Sequence, residues 1–531
     1  MKAYCFPDYD NLSDEIRAKE DKMKANLIKL FVLAGILVLA VIVIGGINTT
    51  SADVPVQGKP PTVALPTRVG TKPPTLTATP TKPGVQPKGG STPVAPLKGA
   101  TRTPTRVGVR GPRSIPGPSG TFSSAFTIQN MATSAANCSY TIYNSSGGVA
   151  YTSASFSIPV GGSNFTYVPN ISGLASGQYS AVISCDQQVA AVVNSSTNNS
   201  GASYTGVANP STTWYAPNVY NNYYGFYTNF IIQNATSSPV TATLQVIDQN
   251  GNVVATQTAS NIPAYAFAGL DQTGLGGLSA NVNYSAKITA TGNIAVQANI
   301  YGTGTYENQF YSYTPFTSGT TVAYAPVIMN NYYGYNTALT VQNLGDSNTT
   351  VTVTYGTGHT QTRTIAPSAS YLFYSPSSGI PSGNTLGLTS AKIESSGQPI
   401  VALVNESNNY NRAGTYIAFA SGATTVRAPI IMKRYYKYNT SVTCQNVGNS
   451  NTDITITYSN GAASSRNSIA PNGTALFYQP NETGLPDNFN GSATITSTSQ
   501  PIVCVTNEDT NEGADGTTMW DHLFTYEGIN Q

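Results

Sequence analysis

The chain has 531 residues, of which 9% are charged and 40% hydrophobic, with 34 Tyr, 49 Gly and two His. That length has room for several domains, and so little charge among so many Tyr, Asn, Ser, Thr and Gly excludes a charge-rich helical cytosolic enzyme and points to an extracellular β-rich protein. The formal charge of +2 is a sum of unequal segments: −1 up to Asp53, +10 from Val54 to Ser119 and −7 from Gly120 onward.

Residues 1–26 read as a cytoplasmic tail. "LIKLFVLAGILVLAVIVIGGI" (27–47) is an apolar run whose last 18 residues, Leu30–Ile47, carry no charge. A helix of that length crosses a bilayer core of roughly 30 Å. Lys22, Lys24 and Lys29 lie before or within it, and the next basic residue is Lys59. The positive-inside rule then keeps the N-terminus in the cytoplasm and sends the rest of the chain outside, as a single-pass membrane protein. The competing reading is a signal peptide cleaved after Ala52 in "TSA" (50–52). The long apolar run and the acid-rich leader count against it. Both readings export everything after residue 53.

Residues 48–119 read as a disordered Pro/Thr/Lys-rich linker. The stretch 53–119 holds 15 of the 33 prolines, and "PTRVG" occurs twice, at 66–70 and 104–108. No apolar spacing supports a core there. Proline at that density favours extended polyproline II, about 3.1 Å per residue, so the stalk reaches at most roughly 200 Å. Its ten positive charges and absence of acids suit anionic cell-wall polymers or lipid head groups. It lacks the aromatic residues that stack on bases, so nucleic acid is not an expected partner.

From residue 120 the sequence repeats. "SA" recurs at Ser180-Ala181, Ser285-Ala286, Ser390-Ala391 and Ser492-Ala493, and "QN" at Gln129-Asn130, Gln233-Asn234, Gln342-Asn343 and Gln445-Asn446. A period near 105 residues is the size of a whole small domain. The expected domains are 120–213, 214–321, 322–424 and 425–531. Each shows short runs alternating with period two, such as Val351, Val353 and Tyr355, and turn signals such as "DQNGN" (248–252). An Ile corner follows at Ile158, Ile262, Ile365 and Ile469. The expected fold class is all-β: four tandem immunoglobulin-like or fibronectin-like sandwiches after one N-terminal transmembrane helix and a disordered stalk.

"APVIMNNYYGYNTALTVQNLG" (325–345), with the downstream "IAP", "SA" and "QPIVALVNE", resembles repeats found in tandem in secreted and surface proteins of filamentous bacteria. The resemblance covers roughly 214–531, and the first repeat lacks the "AP…YYGY" opening. It implies location and architecture rather than a mechanism.

The cysteines of the exported part fall in within-domain pairs, Cys138 with Cys185 and Cys444 with Cys504. Both are expected to be disulfides, Cys138–Cys185 between neighbouring strand ends and Cys444–Cys504 across the two sheets. No HExxH, G-x-S-x-G, P-loop or dinucleotide motif occurs, so no enzymatic activity and no cofactor are expected. One acidic cluster, Glu508, Asp509, Glu512 and Asp515, is a weak candidate for Ca²⁺. Asn-x-Ser/Thr triplets recur, for example at Asn234 and Asn405.

The tyrosine strings "NNYYGFYT" (221–228), "NNYYGYNT" (330–337) and "KRYYKYNT" (433–440) carry the candidate ligand residues Tyr223, Tyr224, Tyr332, Tyr333, Tyr335, Tyr435, Tyr436 and Tyr438. Two roles compete for them: packing at the joint between successive domains, or an aromatic platform. The expected function is a membrane-anchored surface protein for structure or adhesion. A glycan-binding module and a self-assembling coat, sheath or appendage subunit are the alternatives, with glycans, other surface proteins or further copies as partners.

Overall fold

The computed structural model describes residues 117, 120–272, 275–408, 412–510 and 522–531. The tail, the apolar segment 27–47, nearly all of the linker 48–119, and Glu512 and Asp515 lie outside the described residues. Among those described, no helix is long and apolar enough to cross a membrane.

The described chain is built of antiparallel strands in seven sheets, and modules 1 to 4 below denote the strands of the four successive sequence repeats. Module 3 shows the plan. Val322–Met329, Leu388–Ser395, Thr349–Tyr355 and Thr360–Ile365, in that spatial order, form one sheet. Ser370–Tyr374, Tyr335–Asn343, Ile400–Asn408 and Ala413–Ile417 form the other. The period-two alternation turns Val351, Val353 and Ile393 of the first sheet toward Leu339, Val341, Ala402 and Val404 of the second, in one buried core. This is a β-sandwich, but its strand order departs from the expected immunoglobulin pattern. There the seventh strand pairs with the sixth; here it pairs with the second, and the first strand pairs with the sixth.

Module 4 repeats this plan around its own core. In module 2 the sixth and seventh strands run on as one, Tyr284–Gly302. Among the described residues, the first strand of module 1 is Ser123–Asn130, at the second-strand position, and none corresponds to Val322–Met329.

The "QN" signature is a clamp. Asn130, Asn234, Asn343 and Asn446 are fully buried. Each side-chain amide donates to the carbonyl four residues on, at 2.7–2.8 Å. Each also donates to the carbonyl of the Ile corner, at 2.8–3.1 Å. One buried side chain thereby fixes a turn and pins the strand that follows it. The sequon at Asn234 is consequently no glycan acceptor in the folded chain.

The "SA" serines join the modules. Ser180 Oγ donates to the Tyr265 carbonyl at 2.7 Å, Ser285 Oγ to Ser368 at 2.6 Å, and Ser390 Oγ to Asn472. Ser492 Oγ of module 4 donates to the Gly161 carbonyl of module 1 at 3.0 Å. The four acceptors follow the Ile corner with φ of 59°, 62°, 59° and 67°. The last strands pack in the same cycle: Gly201–Thr205, Phe310–Tyr313, Ala413–Ile417 and Leu523–Glu527 each lie on the next, and the fourth lies on the first. The modules therefore close into a ring, and module 1 has a neighbour, module 4, on the side where the repeat order alone leaves none.

Both expected disulfides form, Cys138–Cys185 and Cys444–Cys504. Cys444 and Cys504 face each other on adjacent strands of one sheet, so the expected bridge between sheets is corrected. The reason lies in the strand order: the seventh strand lies beside the second, as Val341 and Ala402 do in module 3.

Candidate functional site: tyrosine hairpin tips and acidic seams

Each tyrosine string is a two-residue hairpin. Tyr332 and Tyr335 exchange backbone hydrogen bonds of 3.0 and 2.9 Å around Tyr333 and Gly334, whose φ values are 50° and 82°. Tyr435 and Tyr438 do the same around Tyr436 (46°) and Lys437 (72°). Tyr223 pairs with Phe226 around Tyr224 (50°) and Gly225 (94°). Two central residues with positive φ make a type I′ turn, which favours Asn-Gly. Tyrosine at the first central position is strained by about 1 kcal/mol or more.

The eight candidate tyrosines divide by exposure. Tyr224, Tyr333 and Tyr436 stand at the tips, 64%, 63% and 79% exposed. Their backbone is held in place: Asn281 and Asn384 accept from the amides of Tyr224 and Tyr333 at 2.8 Å. Tyr223, Tyr332 and Tyr435 are half-buried beneath them, edge-to-face at 5.0, 4.9 and 4.7 Å. Tyr223 also stacks on Tyr220, and burial raises the hydroxyls of Tyr223 and Tyr332 above the usual tyrosine range.

Tyr335 and Tyr435 support the joints. Tyr335 donates its hydroxyl to Asp509 of module 4 at 3.3 Å. Tyr435 packs with Tyr438 on a small cluster that includes Val192 of module 1. Tyr438 donates to His522 Nδ1 at 3.0 Å, and His522 Nε2 donates to the Thr197 carbonyl of module 1 at 3.3 Å. Burial lowers the His522 pKa, which keeps the ring neutral in that arrangement. The candidate set is thus three exposed tips and five supporting side chains.

Of the acidic candidates only Glu508 and Asp509 are described, and these two do not face each other. Glu508 and Asp509 are consecutive on the strand Ile502–Asp509 and point to opposite sides. Glu508 is buried and accepts from Asn194 Nδ2 of module 1 at 3.1 Å. Asp509 is ion-paired with Arg412 of module 3. Among the described residues no group of three His, Cys, Asp or Glu is placed to hold a metal ion.

The seams hold acids that the sequence reading passed over. Glu406 is fully buried and accepts from Asn507 Nδ2 of module 4 at 2.8 Å. Burial pushes its carboxyl up to about 8 and that of Glu508 to about 7. Glu527 accepts from Thr205 Oγ1 of module 1 at 2.7 Å and from the Ile417 amide of module 3 at 2.6 Å. Burial raises its carboxyl too. The available signal was the slot shared by "VNES" (404–407) and "TNED" (506–509), where an acid follows Asn405 and Asn507.

No protein-family model matches the chain, and no curated protein does. Among solved structures the chain is similar to "Crystal Structure of Thermotoga maritima 1070", at 21% identity over 19% of this chain and 94% of that one, with a TM-score of 0.17.

Proposed function

We propose that the chain is a cell-surface adhesion protein. In this reading four tandem β-sandwich domains form a head, the cationic proline-rich stalk carries it outward, and one N-terminal membrane helix anchors it. The observation that carries the reading is the exposed tyrosine at a positive-φ tip in three modules. Turn geometry alone selects asparagine there. A large aromatic side chain kept at an energetic cost and aimed into solvent is what a contact surface needs.

The uncharged run Leu30–Ile47 and the lysines before it support the anchor. Cleavage near Ala52 would give a secreted protein with the same head. The resemblance to bacterial surface repeats supports the extracellular location. A glycan is the second reading of the ligand, because a tyrosine face stacks on a sugar ring as it does on other flat apolar surfaces. The coat-subunit reading has less support: ring closure occupies the module-to-module surface, so open-ended growth needs a different one.

The triple variant Tyr224→Asn, Tyr333→Asn, Tyr436→Asn tests the contact surface. The expected outcome is loss of cell or glycan-array binding with an unchanged or raised melting temperature. Binding that persists removes the tips from the contact surface. Protease shaving of intact cells tests topology: release of the 120–531 region is expected, and full protection refutes the external location.

A further inference from the structure

Modules 3 and 4 meet at a constellation of four residues. On module 3, Glu406 and Gly414 sit opposite each other on neighbouring strands. On module 4, Asn507 and Thr525 do the same. The two pairs face each other across the seam. Asn507 Nδ2 donates to Glu406 Oε2 at 2.8 Å. The Thr525 hydroxyl fills the space where a side chain at Gly414 would stand. Glu406 is 0% exposed and Thr525 2%. Glu406 Oε1, Asn507 Oδ1 and Thr525 Oγ1 have no hydrogen-bond partner. The equivalent pair one module earlier shows the reach of this register, with Thr415 Oγ1 lying 2.8 Å from Asn405 Oδ1. A hydroxyl, a carboxamide and a carboxyl group thus share one water-poor place.

We infer that Thr525 and Asn507 form an intramolecular ester cross-link, with Glu406 as its catalytic proton relay. Thr525 Oγ attacks Asn507 Cγ. One Glu406 oxygen takes the hydroxyl proton while the other gives a proton to the amide nitrogen. The Oγ–Cγ bond forms, the Cγ–N bond breaks, ammonia leaves, and Glu406 returns to its starting state. No oxidant, metal or co-reactant is needed. Burial that holds the Glu406 carboxyl at about 8 keeps it protonated at neutral pH, as the relay requires. Exclusion of water from the seam also protects an ester from hydrolysis. The link ties Ile502–Asp509 to Leu523–Glu527, so a pulling force could not shear the last strand out of the ring.

Two of the other seams lack a part. Between modules 4 and 1, Asn194 meets Glu508, but Ser203 Oγ is already donated to the Thr525 carbonyl at 2.6 Å. Between modules 2 and 3, the acid position is Ile300.

The test is the intact mass of the purified full chain, corrected for its two disulfides, followed by peptide mapping. The expected result is a chain lighter than its sequence by one ammonia, with the Asn507 and Thr525 peptides recovered joined. Hydroxylamine should separate them, since it cleaves esters far faster than amides. Glu406→Gln and Thr525→Val should each restore the full sequence mass, with circular dichroism confirming the fold. A wild-type chain at full sequence mass with the two peptides separate overturns the inference. So does an ammonia loss mapped to any other position, or simple deamidation of Asn507.

Discussion

Replacing Glu508 with Gln tests whether a buried carboxyl at the closing seam sets the stability of the ring. Glu508 is 3% exposed and its carboxylate oxygen accepts one amide hydrogen bond, from Asn194 across the seam. Burial pushes its pKa from 4.5 to about 7; Asn194 opposes the shift, and neighbouring Asp509 adds to it. A carboxyl raised in the folded state stabilises fully below its unfolded pKa, and that stability fades as pH rises through the folded value. The gap from 4.5 to about 7, at about 1.4 kcal/mol per pH unit, is about 3 kcal/mol, an upper figure for one group. The Glu508 contribution should be lost between pH 4.5 and 7, while Glu406, raised to about 8, keeps the wild-type profile falling further and equally in both proteins. Glutamine keeps an acceptor for Asn194 and removes the titration. Calorimetric unfolding from pH 4.5 to 8.5 should therefore show a flatter profile for Glu508→Gln and a higher melting temperature than wild type at pH 8. Parallel profiles, or a variant less stable than wild type at pH 8, refute the reasoning.

Three further outcomes follow from the geometry. Tyr333→Asn should leave stability unchanged within about 0.5 kcal/mol, because relief of the 50° φ offsets the lost edge-to-face contact with Tyr332; a loss above about 1.5 kcal/mol would mean the ring carries more packing than that contact. Asn343→Ala should cost about 2 kcal/mol, since it strips the buried Ile365 carbonyl of its donor and frees the turn at Ser347; urea unfolding measures it, and a loss below about 0.5 kcal/mol contradicts the clamp. Cys444→Ala with Cys504→Ala removes a link spanning 60 residues and should cost about 2–4 kcal/mol, read as a lower unfolding midpoint without reductant. An unchanged midpoint would show the bridge adds nothing.

Much of the fold was legible because it is local. Alternation at Val351, Val353 and Tyr355, turn residues at 248–252 and repeat spacing near 105 each report on neighbours in sequence. Cys444 and Cys504 could be paired because both fall within one repeat, although the sheet they share was not legible. The strand order was not legible, since period two says which side chains face inward and nothing about which strand lies beside which. The tyrosine strings were visible, yet their division into exposed tips and supporting residues was not. That division comes from the two-residue turns, whose central residues Tyr224, Tyr333 and Tyr436 stand at the hairpin ends while the flanking tyrosines pair below them.

The sequence by itself determined a repeated β architecture, the cysteine pairs, and the serines and asparagines that recur in every repeat. Only tertiary structure decided what those residues do. Ser180, Ser285 and Ser390 each reach the next module along the chain, a step that repeat order implies. Ser492 reaches back to Gly161, 331 residues earlier. Whether equal steps run on as a string or return to their start depends on the rotation between neighbours. That rotation is fixed by how the last strands pack side by side, as Gly201 does against Phe524 and Gly414 against Thr525. Small residues at those contacts let the strands approach closely, and it is this approach that brings Glu406, Asn507 and Thr525 together from distant parts of the sequence.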